Sequence, residues 1–189
     1  MAQAERPLSL PTRTEADPDS AVAAVLAKAR QQVGFIPNMY AGMANVPGLL
    51  ETYLSGYGHF RTGSNFTKTE QEVVLLTISR VNACTYCVAA HSTLADMAKV
   101  PVEVTDAIRD GKPVPDERLD ALVRFTSVLV ESRGLPSADD LDDFLAAGYT
   151  DQDVLQIVLA IAVKTLSNFS NHLLHTPVDA VFAGRVWED

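Results

Sequence analysis

Apolar residues recur along this chain at the spacing of three and four positions that marks one face of an amphipathic helix. The clearest example begins after Pro115 and Asp116 and keeps its apolar stripe until Gly134. Glycine or proline separates the neighbouring stretches, as at Pro47 and Gly111. No stretch alternates polar and apolar residues over a useful length, which is the pattern of a strand. The sequence therefore predicts an all-α fold.

The predicted helices follow one another closely through most of the chain. They cover about 18–33, 47–63, 69–81, 84–99, 102–110, 116–133, 137–147 and 150–173. The residues before them, 1–17, form a polar, proline-containing arm, and 18–189 are expected to form one domain with a Cys-x-x-Cys core at about 67–99. A chain of 189 residues with 47% hydrophobic residues is large enough for one sizeable core.

Two of the predicted helices begin alike. Thr69 and Thr150 each precede an acidic residue by three positions, Glu72 and Asp153, which is the pattern of a capping box. When the two segments are aligned at these starts, His91 corresponds to His172. One interpretation is two related helical hairpins, and the alternative is a coincidence between two capped helices.

Charge and hydropathy narrow the classes of partner. Lys and Arg number 15 against 24 Asp and Glu, a net charge of −9, which disfavours nucleic acid and anionic membrane surfaces as partners. The N-terminal residues lack the apolar segment of a secretory signal. The most apolar run, 154–163, is shorter than the roughly 20 residues of a membrane helix. We therefore expect a cytoplasmic protein that does not enter a membrane.

The two cysteines of the chain, Cys84 and Cys87, lie three positions apart, and His91 follows four positions later. On a helix Cys87 and His91 share a face, and an imidazole beside a thiol can generate a thiolate nucleophile. A helix break at Asn82 and Ala83 places Cys84 in a first turn, where the helix dipole favours a thiolate. In a reducing cytosol such a pair is more often catalytic or metal-binding than structural. Burial as small apolar residues is the alternative, and a zinc site is disfavoured because it needs about four ligands.

Two further residues are candidates for the same site. Glu72 would reach His91 and orient its imidazole if the two helices pack antiparallel, although a capping role alone would also explain it. Tyr86 would shape the pocket or donate to a bound oxygen, or it is simply a partly buried aromatic. A polar end on the last long helix is formed by Asn168, Asn171, His172 and His175. We expect these residues to serve in helix capping and a subunit contact, and the alternative is that they line the same pocket.

The segment 72–91 resembles the core signature of the carboxymuconolactone decarboxylase/alkylhydroperoxidase D (AhpD)-like family. It contains the glutamate, the first cysteine twelve residues later, the Cys-x-x-Cys pair and the histidine four positions beyond it. Segments 34–38, 49–53 and 171–179 resemble the branch of peroxidase-related proteins, so the resemblance extends over most of the chain. It implies an AhpD-like helical bundle assembled as a homo-oligomer, a trimer or a hexamer.

The resemblance also implies a cysteine-dependent peroxidase without metal or cofactor. Cys87 would attack hydrogen peroxide or an alkyl hydroperoxide, Cys84 would resolve the sulfenic acid to a redox-active disulfide, and Glu72 with His91 would relay protons. An external dithiol or a thioredoxin-like protein would reduce the pair. The chain departs from the well-characterised AhpD members at Tyr86, where they have a second histidine, so the relay has one imidazole fewer.

Two alternatives use the same cysteine pair. The pair could act as a non-catalytic redox sensor that switches a conformation or a partner. It could also serve a disulfide-reductase adaptor, in which Cys84, expected to be the more exposed thiol, attacks first. The lactone reaction is not expected, because decarboxylase members of the family lack the cysteine pair.

Overall fold

The computed structural model describes residues 4–188, and over that range the chain is helical without a strand, as predicted. The first three residues of the predicted N-terminal arm and the last residue of the predicted domain lie outside the described range. The helices are α1 (Ser20–Val33), α2 (Asn38–Met43), α3 (Pro47–Gly63), α4 (Lys68–Val81), α5 (Thr85–Met97), α6 (Val102–Asp110), α7 (Glu117–Glu131), α8 (Ala138–Ala146), α9 (Asp151–Leu174) and a 3₁₀ helix (Ala180–Arg185).

Most helix ends lie where the sequence places them, because the capping residues are present. The Asp116 carboxylate accepts from the backbone at the start of α7, and Thr150 forms a capping box with Asp153 on α9. Gly111 ends α6 with φ +66°, a left-handed conformation that glycine adopts without strain. The pattern missed α2 and the 3₁₀ helix, which are six residues each and too short to show a helical period.

The predicted cap of α4 is wrong by two residues. Thr67, not Thr69, is the N-cap, and its partner is Glu70. The Thr67 hydroxyl accepts from the Glu70 backbone N–H at 3.2 Å, and the Glu70 carboxylate accepts from the Thr67 N–H at 2.8 Å. Thr67 has the extended backbone that an N-cap requires, whereas Thr69 lies inside the helix. Glu72 therefore has no capping role and is free for other bonds.

The predicted register of the internal repeat is wrong for the same reason. The helix caps that correspond are Thr67 and Thr150, which shifts the alignment by two residues. In addition, the chain breaks between α4 and α5, whereas α9 continues without a break over 24 residues. His91 and His172 are therefore not equivalent positions.

Helix α4 lies at the centre of the fold and packs against α5, α6, α7 and α9. On one side it contributes to a core that we call the α7 core, in which α6, α7 and α8 bury mainly aliphatic and aromatic side chains. On the other side is a core that we call the cysteine core, built from α1, α2, α3, α5 and α9. Both cysteines belong to the cysteine core.

Helix α9 is longer than the predicted apolar run. At 24 residues it is long and apolar enough to cross a membrane by length and composition alone. In the fold it instead packs against α2, α3 and α4, and it buries polar side chains, among them Asp153, Lys164 and Asn171. We therefore interpret α9 as a core helix that carries polar groups to the cysteine core.

Candidate active site

A tight break between α4 and α5 positions the cysteines. Asn82 ends α4, Ala83 takes a left-handed conformation with φ +51°, and Cys84 is extended as the N-cap of α5. The Cys84 N–H closes the break by donating to the Ser79 carbonyl at 2.9 Å. A left-handed alanine costs roughly 1–2 kcal/mol, so this turn is held by its surroundings. Cys84 is thus one residue before the predicted first turn, and the first turn holds Cys87.

Both cysteines are free thiols and both are buried, with exposures of 1% for Cys84 and 2% for Cys87. Cys87 lines a cavity that opens to the surface, whereas Cys84 lies behind it and is not among the lining residues. The prediction that Cys84 is the more exposed thiol is therefore wrong. Its position as N-cap turns its side chain into the packed core, and a ligand in the cavity meets Cys87 first.

Glu72 and His91 meet as the antiparallel packing of α4 and α5 predicts. The Nδ1 atom of His91 lies 3.0 Å from Oε2 of Glu72, and both side chains are buried. The other carboxylate oxygen, Oε1, accepts from Arg61 of α3 at 2.6 Å. Arg61 in turn donates to the Tyr57 hydroxyl at 2.6 Å. Glu72 therefore bridges a partly buried guanidinium and the buried imidazole.

These contacts set the protonation states of the pair. Burial, and then the nearby Lys164 ammonium, lower the pKa of His91 to about 4, although Glu72 opposes the shift. Burial raises the pKa of Glu72, but the bonds to His91 and Arg61 outweigh it and lower the pKa below its ordinary value. Near neutral pH His91 is thus neutral beside a carboxylate. Nδ1 donates to Glu72, and Nε2 is left as a base.

The two thiols have opposite acidities. Burial raises the pKa of Cys87, but the Cys84 thiol that donates to it, the Lys164 ammonium and His91 together lower it well below the ordinary value. The same hydrogen bond, followed by burial, raises the pKa of Cys84. The Asn171 amide also donates to the Cys87 sulfur, at 3.2 Å. Cys87 is therefore the thiol of the pair that ionises more readily.

Two residues of this site, Arg61 and Lys164, were missed by the sequence patterns, and a third, Asn171, was considered for the pocket without being preferred there. Asn171 was expected in capping or a subunit contact, and that expectation is wrong, because its side chain is buried against both cysteine sulfurs. A sequence signal did exist for Lys164, which interrupts the most apolar helix of the chain. A lysine at such a position is rarely buried without a function or a partner. Nothing local marks Arg61.

Tyr86 is buried and lines the cavity with its ring, while its hydroxyl points elsewhere. The hydroxyl donates to Oδ2 of Asp179 in the C-terminal segment at 2.5 Å. Burial, and then this bond, raise the pKa of Tyr86. The Asp179 carboxylate also accepts from the backbone N–H of Asn38 at the start of α2. The Tyr86 hydroxyl therefore holds the segment after α9 in place through Asp179. It does not face the cavity as a donor to a bound oxygen.

The cavity has a volume of about 370 Å³. Its wall is rich in aromatic side chains from α2, α3, α5 and the C-terminal segment. The lining residues are Gln32, Val33, Phe35, Pro37, Met39, Tyr40, Tyr53, Tyr57, Tyr86, Cys87, Ala90, His91, Leu94, Met97, Lys164, Val181 and Phe182. The cavity thus brings the thiolate, the neutral imidazole and one ammonium together in an apolar surrounding.

Two further polar residues of this end of α9 have contacts outside the site, although Asn168 also forms a hydrogen bond with Cys87 that lowers the pKa of that thiol. His175 ends the helix in a left-handed conformation with φ +49°, and its ring bonds the Ala4 carbonyl at 2.7 Å. Asn168 accepts from Asn82 at 2.9 Å, which links α9 to the break before the cysteines. Within residues 4–188, no group of three or more His, Cys, Asp and Glu side chains is arranged to hold a metal ion.

Comparison with known proteins shows which solved structures have a similar fold. No protein-family profile matches the chain, and no curated protein sequence matches it. Among solved structures, the AhpD core of a peroxidase-related protein from Ralstonia eutropha JMP134 is similar with a TM-score of 0.80 at 22% identity, covering 95% of this chain and 97% of that one. A peroxidase-related protein from Silicibacter sp. TM1040 has a TM-score of 0.77 at 19% identity, covering 98% of each chain.

A third similar structure is the debrominase Bmp8. It has a TM-score of 0.75 at 16% identity and covers 94% of this chain and 96% of its own. It was solved without ligand and, as a cysteine-to-alanine variant, in complex with 2,3,4-tribromopyrrole. The matches extend over nearly the whole of each chain, and the chain has the AhpD-like fold.

Proposed function

We propose that this protein is a thiol-dependent peroxidase that reduces an organic hydroperoxide with the Cys84/Cys87 pair. The observation that carries the proposal is the asymmetry of the two thiols. Cys87 is a thiolate at the cavity wall, and Cys84 is a protonated thiol directly behind it. A nucleophile that faces the substrate and a resolving thiol within bonding reach are what a two-cysteine peroxidase requires.

In the first step the Cys87 thiolate attacks the terminal oxygen of ROOH. The O–O bond breaks, Cys87 becomes a sulfenic acid, and the alkoxide RO⁻ leaves and takes up a proton to give ROH. The cysteine sulfur is oxidised by two electrons and the peroxide is reduced by two. The proton that the alkoxide takes up comes from water, since His91 is neutral and bonded to Glu72. His91 orients the substrate in this step and can relay the Cys84 proton through Nε2 in the next.

In the second step Cys84 attacks the Cys87 sulfenic acid, which gives the disulfide and water. The pKa of Cys84 is raised chiefly because its S–H donates to the neighbouring thiolate. Once Cys87 has become a neutral sulfenic acid this cause is gone, so Cys84 becomes more acidic when it must react. The Cys84 proton leaves with the hydroxyl of the sulfenic acid, with His91 as the nearby base. An external dithiol then reduces the disulfide.

The test is peroxide consumption with cumene hydroperoxide and a dithiol reductant. Cys87→Ser is expected to reduce turnover to the background rate. Cys84→Ser is expected to consume about one peroxide per protein and then stop, because the sulfenic acid cannot be resolved. Turnover that survives in Cys87→Ser, or a single-turnover burst in Cys87→Ser rather than in Cys84→Ser, would overturn the assignment.

The size of the cavity favours a second candidate, reductive dehalogenation of a halogenated aromatic compound. A cavity of about 370 Å³ lined by four tyrosines suits a ring far better than it suits hydrogen peroxide. The Cys87 thiolate would attack the halogen, the ring carbon would take up a proton, and Cys84 would displace halide as the disulfide forms. Halide release from 2,3,4-tribromopyrrole in the absence of peroxide activity would select this reaction.

The geometry disfavours the adaptor alternative. An adaptor in which Cys84 attacks a partner first needs an accessible and acidic Cys84, whereas this thiol is 1% exposed and has a raised pKa. A redox sensor would use the same buried pair, and turnover number separates it from the peroxidase. A pair that oxidises readily but turns over with neither peroxide nor halogenated substrate would be a sensor.

A further inference from the structure

Lys164 is a buried cation whose only part in the proposed reaction is to stabilise the Cys87 thiolate. It lies in the middle of α9, its exposure is 1%, and its side chain lines the cavity beside Cys87 and His91. No Asp or Glu is among the lining residues, and among residues 4–188 no carboxylate forms an ion pair with the Lys164 ammonium. The nearby Glu72 is already held by Arg61 and His91. A buried ammonium without a carboxylate is costly and requires an anion nearby.

In the reduced protein that anion is the Cys87 thiolate. His91 is neutral, and the charges of Arg61 and Glu72 cancel each other behind it, so the cavity wall carries one positive and one negative charge. Oxidation or substitution of Cys87 removes the negative charge and leaves Lys164 unbalanced. The cavity wall then carries a net positive charge in an apolar surrounding, where the attraction for an anion is strong.

The shape and lining of the cavity define which anion fits. Phe35, Tyr40, Tyr53, Tyr57 and Phe182 surround the space, and aromatic rings favour offset or edge contacts with another ring. A volume of about 370 Å³ accommodates a molecule of one or two rings. Among the lining residues of the described range 4–188, Lys164 is the only charged side chain in the absence of the thiolate.

We propose that the cavity is a binding site for an aromatic carboxylate, and that it binds this anion selectively when Cys87 carries no negative charge. The carboxylate takes the place of the thiolate as the counter-ion of Lys164, and the ring packs among the tyrosines. In the reduced protein the thiolate holds Lys164 and repels the carboxylate. Charge on one cysteine therefore decides whether the anion is bound.

A regulatory consequence follows by linkage, and this part rests on the proposed function. A ligand that binds the disulfide form more tightly than the dithiol form stabilises the disulfide by the same factor. The carboxylate would then lower the reduction potential of the Cys84/Cys87 pair by about 30 mV for each tenfold preference. An aromatic acid would slow regeneration of the thiolate and act as an inhibitor of turnover.

The experiment compares the binding of 2-naphthoate with that of its neutral isostere 2-naphthamide by calorimetry. The proteins are reduced wild type, Cys87→Ala and the double variant Cys87→Ala/Lys164→Met, with Cys87→Ala/Lys112→Met as the matched control because Lys112 is on the surface. We expect naphthoate to bind Cys87→Ala at least tenfold more tightly than it binds reduced wild type. Naphthamide should bind both alike, and the Lys164 substitution should abolish the preference.

Equal affinity of naphthoate for reduced wild type and Cys87→Ala would overturn the proposal. So would an equal gain for naphthamide, since the gain would then come from space and not from charge. These two comparisons do not need the Lys164 variant, so they decide the question even if that variant fails to fold. Because Cys87→Ala has no nucleophile, the binding result is also independent of whether the protein reduces peroxides.

Discussion

The two cores on either side of α4 differ in how their aromatic rings pack. In the α7 core Phe144 stacks between Phe125 and Tyr149, with ring centroids 4.2 and 4.6 Å apart and nearly parallel planes. In the cysteine core the Tyr40, Tyr53 and Tyr57 rings stand 5.6 to 5.7 Å apart around an open cavity. The aromatic rings of the α7 core are in direct contact with one another, whereas those of the cysteine core line a space that a ligand can enter.

The polar content of the two cores differs in the same direction. The buried charged side chains beside the α7 core, Glu70 and Asp153, cap helices. The cysteine core instead borders on buried Glu72, His91, Lys164 and Asn171 and on the partly buried Arg61. Empty volume and buried charge both reduce stability relative to a filled apolar core. Helix α4 thus separates two cores that we expect to contribute unequally to the free energy of unfolding. The cysteine core should contribute less, and we interpret this as the cost of holding a reactive thiol.

Phe144→Ala is expected to have the largest effect on the difference in stability between the two cores. Removing the ring leaves a cavity in the α7 core, and the free energy of unfolding should fall by about 3–5 kcal/mol. The thiolate reactivity of Cys87 should not change, because Phe144 has no contact with the cysteine core. Chemical denaturation and an alkylation assay measure the two quantities. Leu135→Ala, an exposed site, is the control. A slower Cys87 in a still folded Phe144→Ala protein would show that the two cores are not independent.

The next effect is the pH dependence of stability that arises from His91. The folded pKa of about 4 lies below the ordinary value of 6.5, so folding favours the neutral imidazole. The stability that His91 contributes is therefore complete above pH 6.5 and is lost as the pH falls toward 4, by about 3 kcal/mol in total. Denaturation curves of wild type and His91→Gln over this range should diverge by that amount. Parallel curves would contradict the low pKa.

A smaller effect is expected for Glu72→Gln, with Glu70→Gln as its matched control. Glu72 orients His91 and balances Arg61, so its substitution should lower peroxide turnover by about 100-fold. Glu70 caps α4 and contacts Arg118, so its substitution should cost roughly 1 kcal/mol of stability and leave turnover unchanged. Steady-state rates and denaturation midpoints are measured for both. Equal loss of turnover in the two variants would refute the separate roles.

The smallest effect is expected for Tyr86→Phe. The ring remains in the cavity wall, and only the hydrogen bond to Asp179 is lost. The C-terminal segment should become more sensitive to limited proteolysis, and stability should fall by about 1–2 kcal/mol. Turnover should change less than threefold. A loss of turnover as large as that of Glu72→Gln would mean that the Tyr86 hydroxyl takes part in the reaction.

The sequence predicted the helices well because their ends carry chemical signals. Asp116, Thr150 and Gly111 cap helices in the structure as they do in the pattern. The failure at α4 is instructive, since two threonines each have a glutamate three positions later. Local spacing cannot tell Thr67 from Thr69, because the choice depends on how α4 packs against its neighbours.

The site was predicted in part. The positions of Cys84, Cys87 and His91 follow from spacing within one helix, and Glu72 follows from the resemblance. Residues from other helices could not be predicted, because Arg61, Lys164 and Asn171 reach the cysteines only through the tertiary packing of α3 and α9 against α4 and α5. Burial of Cys84 likewise depends on the break at Ala83 and not on the motif.

The central claim is that Cys87 is a thiolate near neutral pH because Lys164 and the Cys84 thiol stabilise its charge. The direct test is the pH dependence of iodoacetamide modification of each cysteine in the reduced protein, read by peptide mass spectrometry. We predict that Cys87 reacts with a midpoint well below about 8.5, that Lys164→Met moves the midpoint up while Lys164→Arg does not, and that Cys84 stays unmodified. Titration of both thiols near pH 8.5 in wild type and in Lys164→Met would contradict the account.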